Sequence, residues 1–205
     1  EIDEDELTLS VTGNNNVTVD ISHFMVSFGS LSDWNGTETL TFTVDDSQGR
    51  AVASDVVDII VTSVNDAPVL TSISDQSTEE DTPLTLTLTA DDIDGDVLSY
   101  SAVSDNENVT VSVFDDELTL TPSLNYNGAV SVTVTVSDGF LTDTETFTMT
   151  ITPVNDAPTI ELPDSFTFEE DGSLVEDFSG FVDDIDEDEL TLSVTGNNNV
   201  TVDIF

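Results

Sequence analysis

The sequence predicts an all-β protein built as a linear array of antiparallel β-sandwiches. Three observations lead there. Apolar residues alternate with Thr in short runs such as LTLTLTA, SVTVTV and TFTMTIT, which puts one face of a strand in a core and the other in water. No segment carries helical periodicity of useful length. The chain also repeats itself: VNDAP stands at 64–68 and again at 154–158, 90 positions on. A longer string, IDEDELTLSVTGNNNVTVDI, fills 2–21 and returns letter for letter at 185–204, an offset of 183. Repetition at a fixed period is the mark of an array of similar units.

The middle unit, 67–156, is complete and its strands can be taken in order. The segments 69–73, 84–90, 97–103, 109–113, 117–121, 129–136 and 145–152 alternate apolar and polar residues, with turn signals between them. Thr suits the wet face because its β-branched side chain favours extended backbone. Seven short strands in about 90 residues read as an immunoglobulin-like sandwich. A unit of this size has a limited core, so bound ions could add to its stability.

The flanks are partial units of the same kind. Within 1–66, DWNGTETLTFTVDDSQG matches NYNGAVSVTVTVSDG of the middle unit, which makes this piece the C-terminal part of a repeat. Within 157–205, VDDIDEDELTLSV matches ADDIDGDVLSYSA, which makes it the N-terminal part of the next. Joined through the 183-residue offset they describe one whole unit. The expectation is a window from a longer polymer alternating two unit types of about 90 and 93 residues.

Composition narrows the function. Acidic side chains number 44, against Arg50 alone and no Lys, with one His, for a net charge of −43. Self-repulsion on this scale opposes compaction, yet 37% of residues are hydrophobic and fall in strand patterns, so disorder is not the reading. Divalent cations can neutralise the carboxylates. Nucleic acid and anionic membrane surfaces are repelled and are poor partners. The absence of cysteine removes disulfides, thiolate chemistry and cysteine zinc sites. No run of about 18 apolar residues is present for membrane insertion. A surface rich in Thr, Ser, Asn and Asp suits an extracellular or cell-surface setting.

Four acidic signatures recur. Glu-Glu-Asp follows the opening strand at 79–81 and 169–171; D-D-I-D-x-D places Asp91, Asp92, Asp94 and Asp96, then Asp183, Asp184, Asp186 and Asp188. Asn-Asp lies within each VNDAP. An acidic turn, Asp138-Gly139, follows the sixth strand, with Asp45-Asp46 as its counterpart. Asp-rich loops are common as plain turns. Four such motifs at unit ends, on a chain almost without cations, favour Ca2+, which takes six to eight oxygen ligands at flexible distances. Magnesium fits less well because it keeps its waters, and no EF-hand loop is present.

These residues resemble a known family. VNDAP is similar to the cadherin linker D-x-N-D-N-A-P, and Asp92-Ile93-Asp94 to the cadherin D-x-D. The spacing is closer still to the tandem cadherin-like repeats of large bacterial surface proteins and adhesins. The resemblance implies calcium held between successive repeats, shared by an upstream glutamate, the linker and the next D-x-D. It assigns Glu79 and Glu80, Asn155 and Asp156, and Asp184 and Asp186 to the second junction. It assigns Asn65 and Asp66, Asp92 and Asp94, and Asp138 to the first, whose glutamate would precede residue 1. Two departures stand out: Ser63 and Pro153 replace the first linker Asp, and PSLNYNG has no counterpart of the cadherin D-R-E. Fewer ions per junction than in cadherins are expected.

Other residues carry less. Trp34 and Tyr126 occupy matching places and read as corner aromatics rather than a sugar platform. His23 has no Cys or His partner. Asn16, Asn35, Asn108 and Asn199 open Asn-x-Thr triplets, acceptors only in a glycosylating host. No Ser-His-Asp set, phosphate loop or Lys nucleophile is available, so an enzyme is not expected. The expected function is an extracellular structural or adhesive repeat protein, a calcium-stiffened rod or filament whose partners are neighbouring repeats of the same polymer. The alternative is an adhesion module binding surface polysaccharide or protein.

Overall fold

The structure, a computed structural model, describes residues 7–46, 52–196 and 199–204. The parts of the expected partial repeats at 1–6, 47–51, 197–198 and 205 lie outside the described residues. The chain forms β1 (Thr8–Thr12), β2 (Val17–Ser22), β3 (Met25–Ser30), β4 (Gly36–Asp45) and β5 (Val52–Val61). It continues with β6 (Val69–Leu70), β7 (Gln76–Glu79), β8 (Leu84–Thr87), β9 (Ala90–Asp91), β10 (Ser99–Ser104) and β11 (Val109–Phe114). β12 (Glu117–Pro122), β13 (Gly128–Ser137), β14 (Thr142–Thr152), β15 (Thr159–Ile160) and β16 (Val182–Asp183) complete it. The one helical element among the described residues is a single 3-10 turn, Phe178–Gly180. Among the described residues, no helix is long and apolar enough to cross a membrane.

Two compact units result: Glu1–Val69 with Asp91–Leu98 and Ser137–Thr142, and Leu70–Ala90 with Ser99–Val136 and Asp143–Phe205. The second holds an Ig-like pair of sheets ordered β10-β13-β14-β7 and β11-β12-β8. The inward faces supply its core: Val130, Val132, Val134 and Val136 from β13, Phe147, Met149 and Ile151 from β14, Leu118 and Leu120 from β12. Alternation explains this, since every second residue of a strand faces the same way. Leu118 and Leu120 lie opposite Leu86 and Leu84. At the hairpin between β11 and β12, Asp115 takes the left-handed backbone (φ 53) that such a turn needs.

The opening of this sandwich differs from the sequence expectation. The run 69–73 is a strand only over Val69–Leu70. A strand not anticipated, Gln-Ser-Thr-Glu of β7, runs parallel beside β14, with Gln76 opposite Met149 and Glu79 opposite Thr152. The sheet is therefore mixed rather than purely antiparallel. β7 has no apolar residue, so alternation cannot reveal it. It exists because the edge of β14 offers unpaired backbone groups.

The first unit contains the sheet β1-β4-β5 and the hairpin β2-β3. Strand by strand these correspond to β10-β13-β14 and β11-β12. The turn residues agree as well: His23 and Asp33 have φ 58 and 57, like Asp115 and Asn125 at 53 and 55. Trp34 and Tyr126 lie over Gly36 and Gly128, whose φ values are 143 and 141; a Cβ on Gly36 would meet the Trp34 ring at 3.3 Å and one on Gly128 the Tyr126 hydroxyl at 3.5 Å. Asn106 Nδ2 donates to that hydroxyl at 2.8 Å. Both aromatics thus sit at corners.

Glu38 stands where the second unit has Val130. Its carboxylate is 8% exposed and accepts from the backbone N–H of Asn15 at 2.6 Å, Asn16 at 3.0 Å and Val17 at 2.7 Å. Burial pushes its pKa up, but the bonds from Val17, Asn15 and Asn16 outweigh it and hold the group below 4.5. A depressed folded value stabilises above the unfolded value, and that stabilisation is lost as pH falls through the folded one. Amide exchange at Val17, taken relative to its intrinsic rate at each pH, should therefore accelerate on acidification below about pH 4. Glu38→Gln should accelerate it already at neutral pH; protection unchanged in both cases would refute the role.

The duplicated string separates propensity from context. In its first copy it forms β1 and β2, paired to β4 and β3. In the second copy, the described residues between 191 and 204 are in no strand. Identical letters have identical propensities, so partner strands make the difference.

Candidate functional site: two carboxylate clusters

β7 runs into Glu-Glu-Asp. Glu79, the last residue of the strand, is exposed, and alternation turns Glu80 the other way, to 4% exposure. The backbone N–H of Glu80 donates to the Thr152 carbonyl at 2.9 Å, and its Oε1 accepts from Val154 N at 2.6 Å. The parallel pairing of β7 with β14 makes this possible, because both strands point toward the VNDAP segment. Downstream, Asp184 Oδ1 accepts from the N–H groups of Asp186 at 3.0 Å and Asp188 at 3.2 Å, an Asx-type turn. Asp186 Oδ2 accepts from Asp156 N at 2.6 Å. Carboxylate oxygens of Glu80, Asp156 and Asp186 then all lie within 4.8 Å of one another. Asn155 Nδ2 donates to the Asp156 carbonyl at 2.8 Å.

The first unit repeats this pattern. Asp92 Oδ1 accepts from Asp94 N at 3.0 Å and Asp96 N at 3.3 Å. Asp94 Oδ2 accepts from Asp66 N at 2.7 Å. Asn65 Nδ2 donates to the Asp66 carbonyl at 3.1 Å and also to Asp138 Oδ2 at 2.7 Å. Asp138, 8% exposed, closes its own turn by accepting from Phe140 and Leu141, both at 2.6 Å. The Asn65 amide, then the Leu141 and Phe140 N–H groups, hold its pKa below the ordinary carboxylate value.

Of the residues singled out in the sequence, the structure gathers Glu80, Asp156 and Asp186, with Asp184 shaping the loop. Separately, hydrogen bonds link Asp66 to Asp94, Asp94 to Asp92, and Asn65 to Asp138. The structure leaves Glu79 outside the cluster. Asp81, which is not among the expected ligands, accepts from Asn125 N at 2.9 Å and adds charge near Asp156.

The chemistry of both clusters fits a hard cation. Asp92 Oδ2 is buried and has no hydrogen-bond partner, a state that costs free energy unless something positive sits against it. Burial first, then the charges of Asp186, Asp81, Glu80 and Asp184, push the Asp156 pKa up. A raised folded value means that its contribution is present below the unfolded value and lost as pH rises through the folded one. Without calcium, Asp156 should thus titrate above the ordinary 3.8, as followed by carboxyl NMR. Added calcium should move its midpoint down; a midpoint indifferent to calcium would speak against binding there.

Residues 65–152 match the model of the family described as Bacterial Ig domain. No curated protein matches the chain. Among solved structures, the chain is similar to human protocadherin-24 EC1-2 at 19% identity, over 77% of this chain and 85% of that one, with a TM-score of 0.50; the likeness is one of fold. Protocadherin gammaB7 EC3-6, a cis-dimer, aligns at 22% identity over 84% of this chain and 47% of that one, TM-score 0.46. An endo-fucoidan hydrolase of glycoside hydrolase family 107 aligns at 22% identity over 78% of this chain, TM-score 0.35. This chain spans 25% of the length of that hydrolase.

Proposed function

We propose that this chain is part of an extracellular structural or adhesive repeat protein whose repeats, 67–156 with partial neighbours at 1–66 and 157–205, are stiffened by calcium at their junctions. One observation carries this reading: the same hydrogen bond, from the linker Asp N–H to the D-x-D carboxylate, recurs at both VNDAP segments, and at the second it accompanies three carboxylates within 4.8 Å of one another, with almost no cation in the chain to offset them. Glu80, Asp156, Asp184 and Asp186 with Asn155 would hold calcium at the second junction. Asn65, Asp66, Asp92, Asp94 and Asp138 would hold it at the first. Calcium supplies positive charge; the chain supplies preformed loops whose Asx turns aim the oxygens. The Ig-like fold and the family match support a setting at a bacterial surface and a role without catalysis. Neighbouring repeats of one polymer are the principal partners.

The mechanism is linkage. An ion that binds only the ordered junction stabilises that order. Small-angle scattering in calcium should report an extended particle, and excess chelator should shorten its largest dimension. Identical scattering curves in the two conditions would refute the stiffening. A glycan array in calcium addresses the alternative of a ligand-binding module, since a spacer binds none of the sugars.

A further inference from the structure

The corner ahead of β13 has its counterpart ahead of β4: Asn125-Tyr126-Asn127-Gly128 and Asp33-Trp34-Asn35-Gly36 stand at matching places. Backbone geometry accounts for each glycine, since φ values of 141 and 143 lie where side chains are strained. Packing accounts for each aromatic, which lies over that glycine. The residue ahead of the aromatic differs between the two corners. The asparagine before the glycine is the same in both, and no other asparagine of the chain precedes a glycine.

Neither backbone nor packing accounts for Asn127. It belongs to the middle unit, is exposed, and its side-chain amide has no hydrogen-bond partner among the described residues. Other asparagines are held. Asn65 Nδ2 donates to Asp138 at 2.7 Å, Asn106 Nδ2 to the Tyr126 hydroxyl at 2.8 Å, and Asn155 Nδ2 to the Asp156 carbonyl at 2.8 Å. The residues that follow those three are Asp66, Glu107 and Asp156, each with a Cβ beside the nitrogen that would have to move. Asn127 alone among these four combines a free amide with a glycine after it.

We propose that Asn127 is a site of spontaneous deamidation. The backbone nitrogen of Gly128 attacks the side-chain carbonyl carbon of Asn127. The new N–Cγ bond closes a five-membered succinimide, the Cγ–Nδ2 bond breaks, and the proton lost by the Gly128 nitrogen departs with the amide as ammonia. Water then opens the ring at one of its two carbonyls, leaving aspartate or isoaspartate. No enzyme, metal or oxidant enters the balance. Glycine permits the closure because it offers the widest backbone freedom and no Cβ in the path. Either product adds one negative charge to a chain that has almost none of the opposite sign. The charge arises two residues from Asn125, whose N–H already binds Asp81 at 2.9 Å. Isoaspartate also inserts a methylene into the main chain directly ahead of β13, the strand that carries Val130, Val132, Val134 and Val136 into the core.

The test ages the whole chain for weeks in heavy-oxygen water, near neutral pH and at physiological temperature, and maps its peptides by mass spectrometry. The peptide holding Asn127 should lose ammonia and take up one heavy oxygen, and an isoaspartyl methyltransferase should label part of the product. Conversion at Asn127 should run within several-fold of the rate in the free peptide Leu-Asn-Tyr-Asn-Gly-Ala-Val, and many-fold faster than at Asn65, Asn106 or Asn155. It should quicken as pH rises, because the attacking nitrogen must shed its proton. Asn127→Gln, which would have to close a six-membered ring, should remove the methyl label from this peptide. An Asn127 still intact when the free peptide is largely converted, or conversion at Asn106 or Asn155 as fast as at Asn127, would overturn the proposal. Calcium takes no part in either step, so this outcome and that of the calcium experiments are independent.

Discussion

Leu120→Ala should lower the stability of the second unit by about 2–5 kcal/mol, a fall in melting temperature on the order of 10–30 °C for a domain of this size. Leu120 is fully buried, with Val111 opposite on one side and Leu84 on the other. Removing its isobutyl group leaves a cavity that three paired strands cannot collapse without breaking their ladders. The matching residue of the first unit is Phe28, which is 48% exposed and touches Phe42 edge-on, with ring centres 6.2 Å apart. Phe28→Ala should cost no more than about 1–2 kcal/mol, although the side chain removed is larger. Calorimetric melting of both variants checks the contrast. Equal losses would mean that the two sandwiches are equally closed, against the difference in burial between Leu120 and Phe28.

The second large effect is expected from calcium removal. A site filled at 100 times its dissociation constant adds about 2.7 kcal/mol to the ordered state, so stripping it should lower the melting temperature by roughly 10 °C. Glu80→Gln separates charge from scaffold. The amide oxygen can still accept from Val154 N, as Oε1 does at 2.6 Å, while the negative charge is gone. The variant should melt like wild type in chelator and gain less from calcium, with affinity reduced at least about tenfold. A variant that gains as much as wild type would show that Glu80 is not a ligand.

How much of this was legible in the sequence depended on the kind of signal. Leu118, Leu120, Val132, Val134 and Met149 were visible because alternation with Thr assigns each to the inward face. β7 was invisible for the same reason: Gln-Ser-Thr-Glu has no apolar face, and only the waiting edge of β14 makes it a strand. The limits of propensity are plainest in the duplicated string, paired as β1 and β2 in one copy and unpaired in the other. The acidic motifs were readable as repeats, and D-x-D with VNDAP does converge in each cluster. The division of labour within Glu-Glu-Asp was not readable. Glu80 turns inward and Glu79 outward because β7 ends at Glu79, a boundary that composition does not mark. Glu38 gave no sign at all, since its three N–H donors come from a loop more than 20 residues away.

The most direct measurement of calcium at the junctions is an anomalous difference map from crystals grown in calcium. Density is expected about 2.3–2.6 Å from carboxylate oxygens of Glu80, Asp156 and Asp186, with a second site beside Asp66, Asp92 and Asp94. Featureless maps at both places, with these side chains turned into solvent, would contradict calcium stiffening.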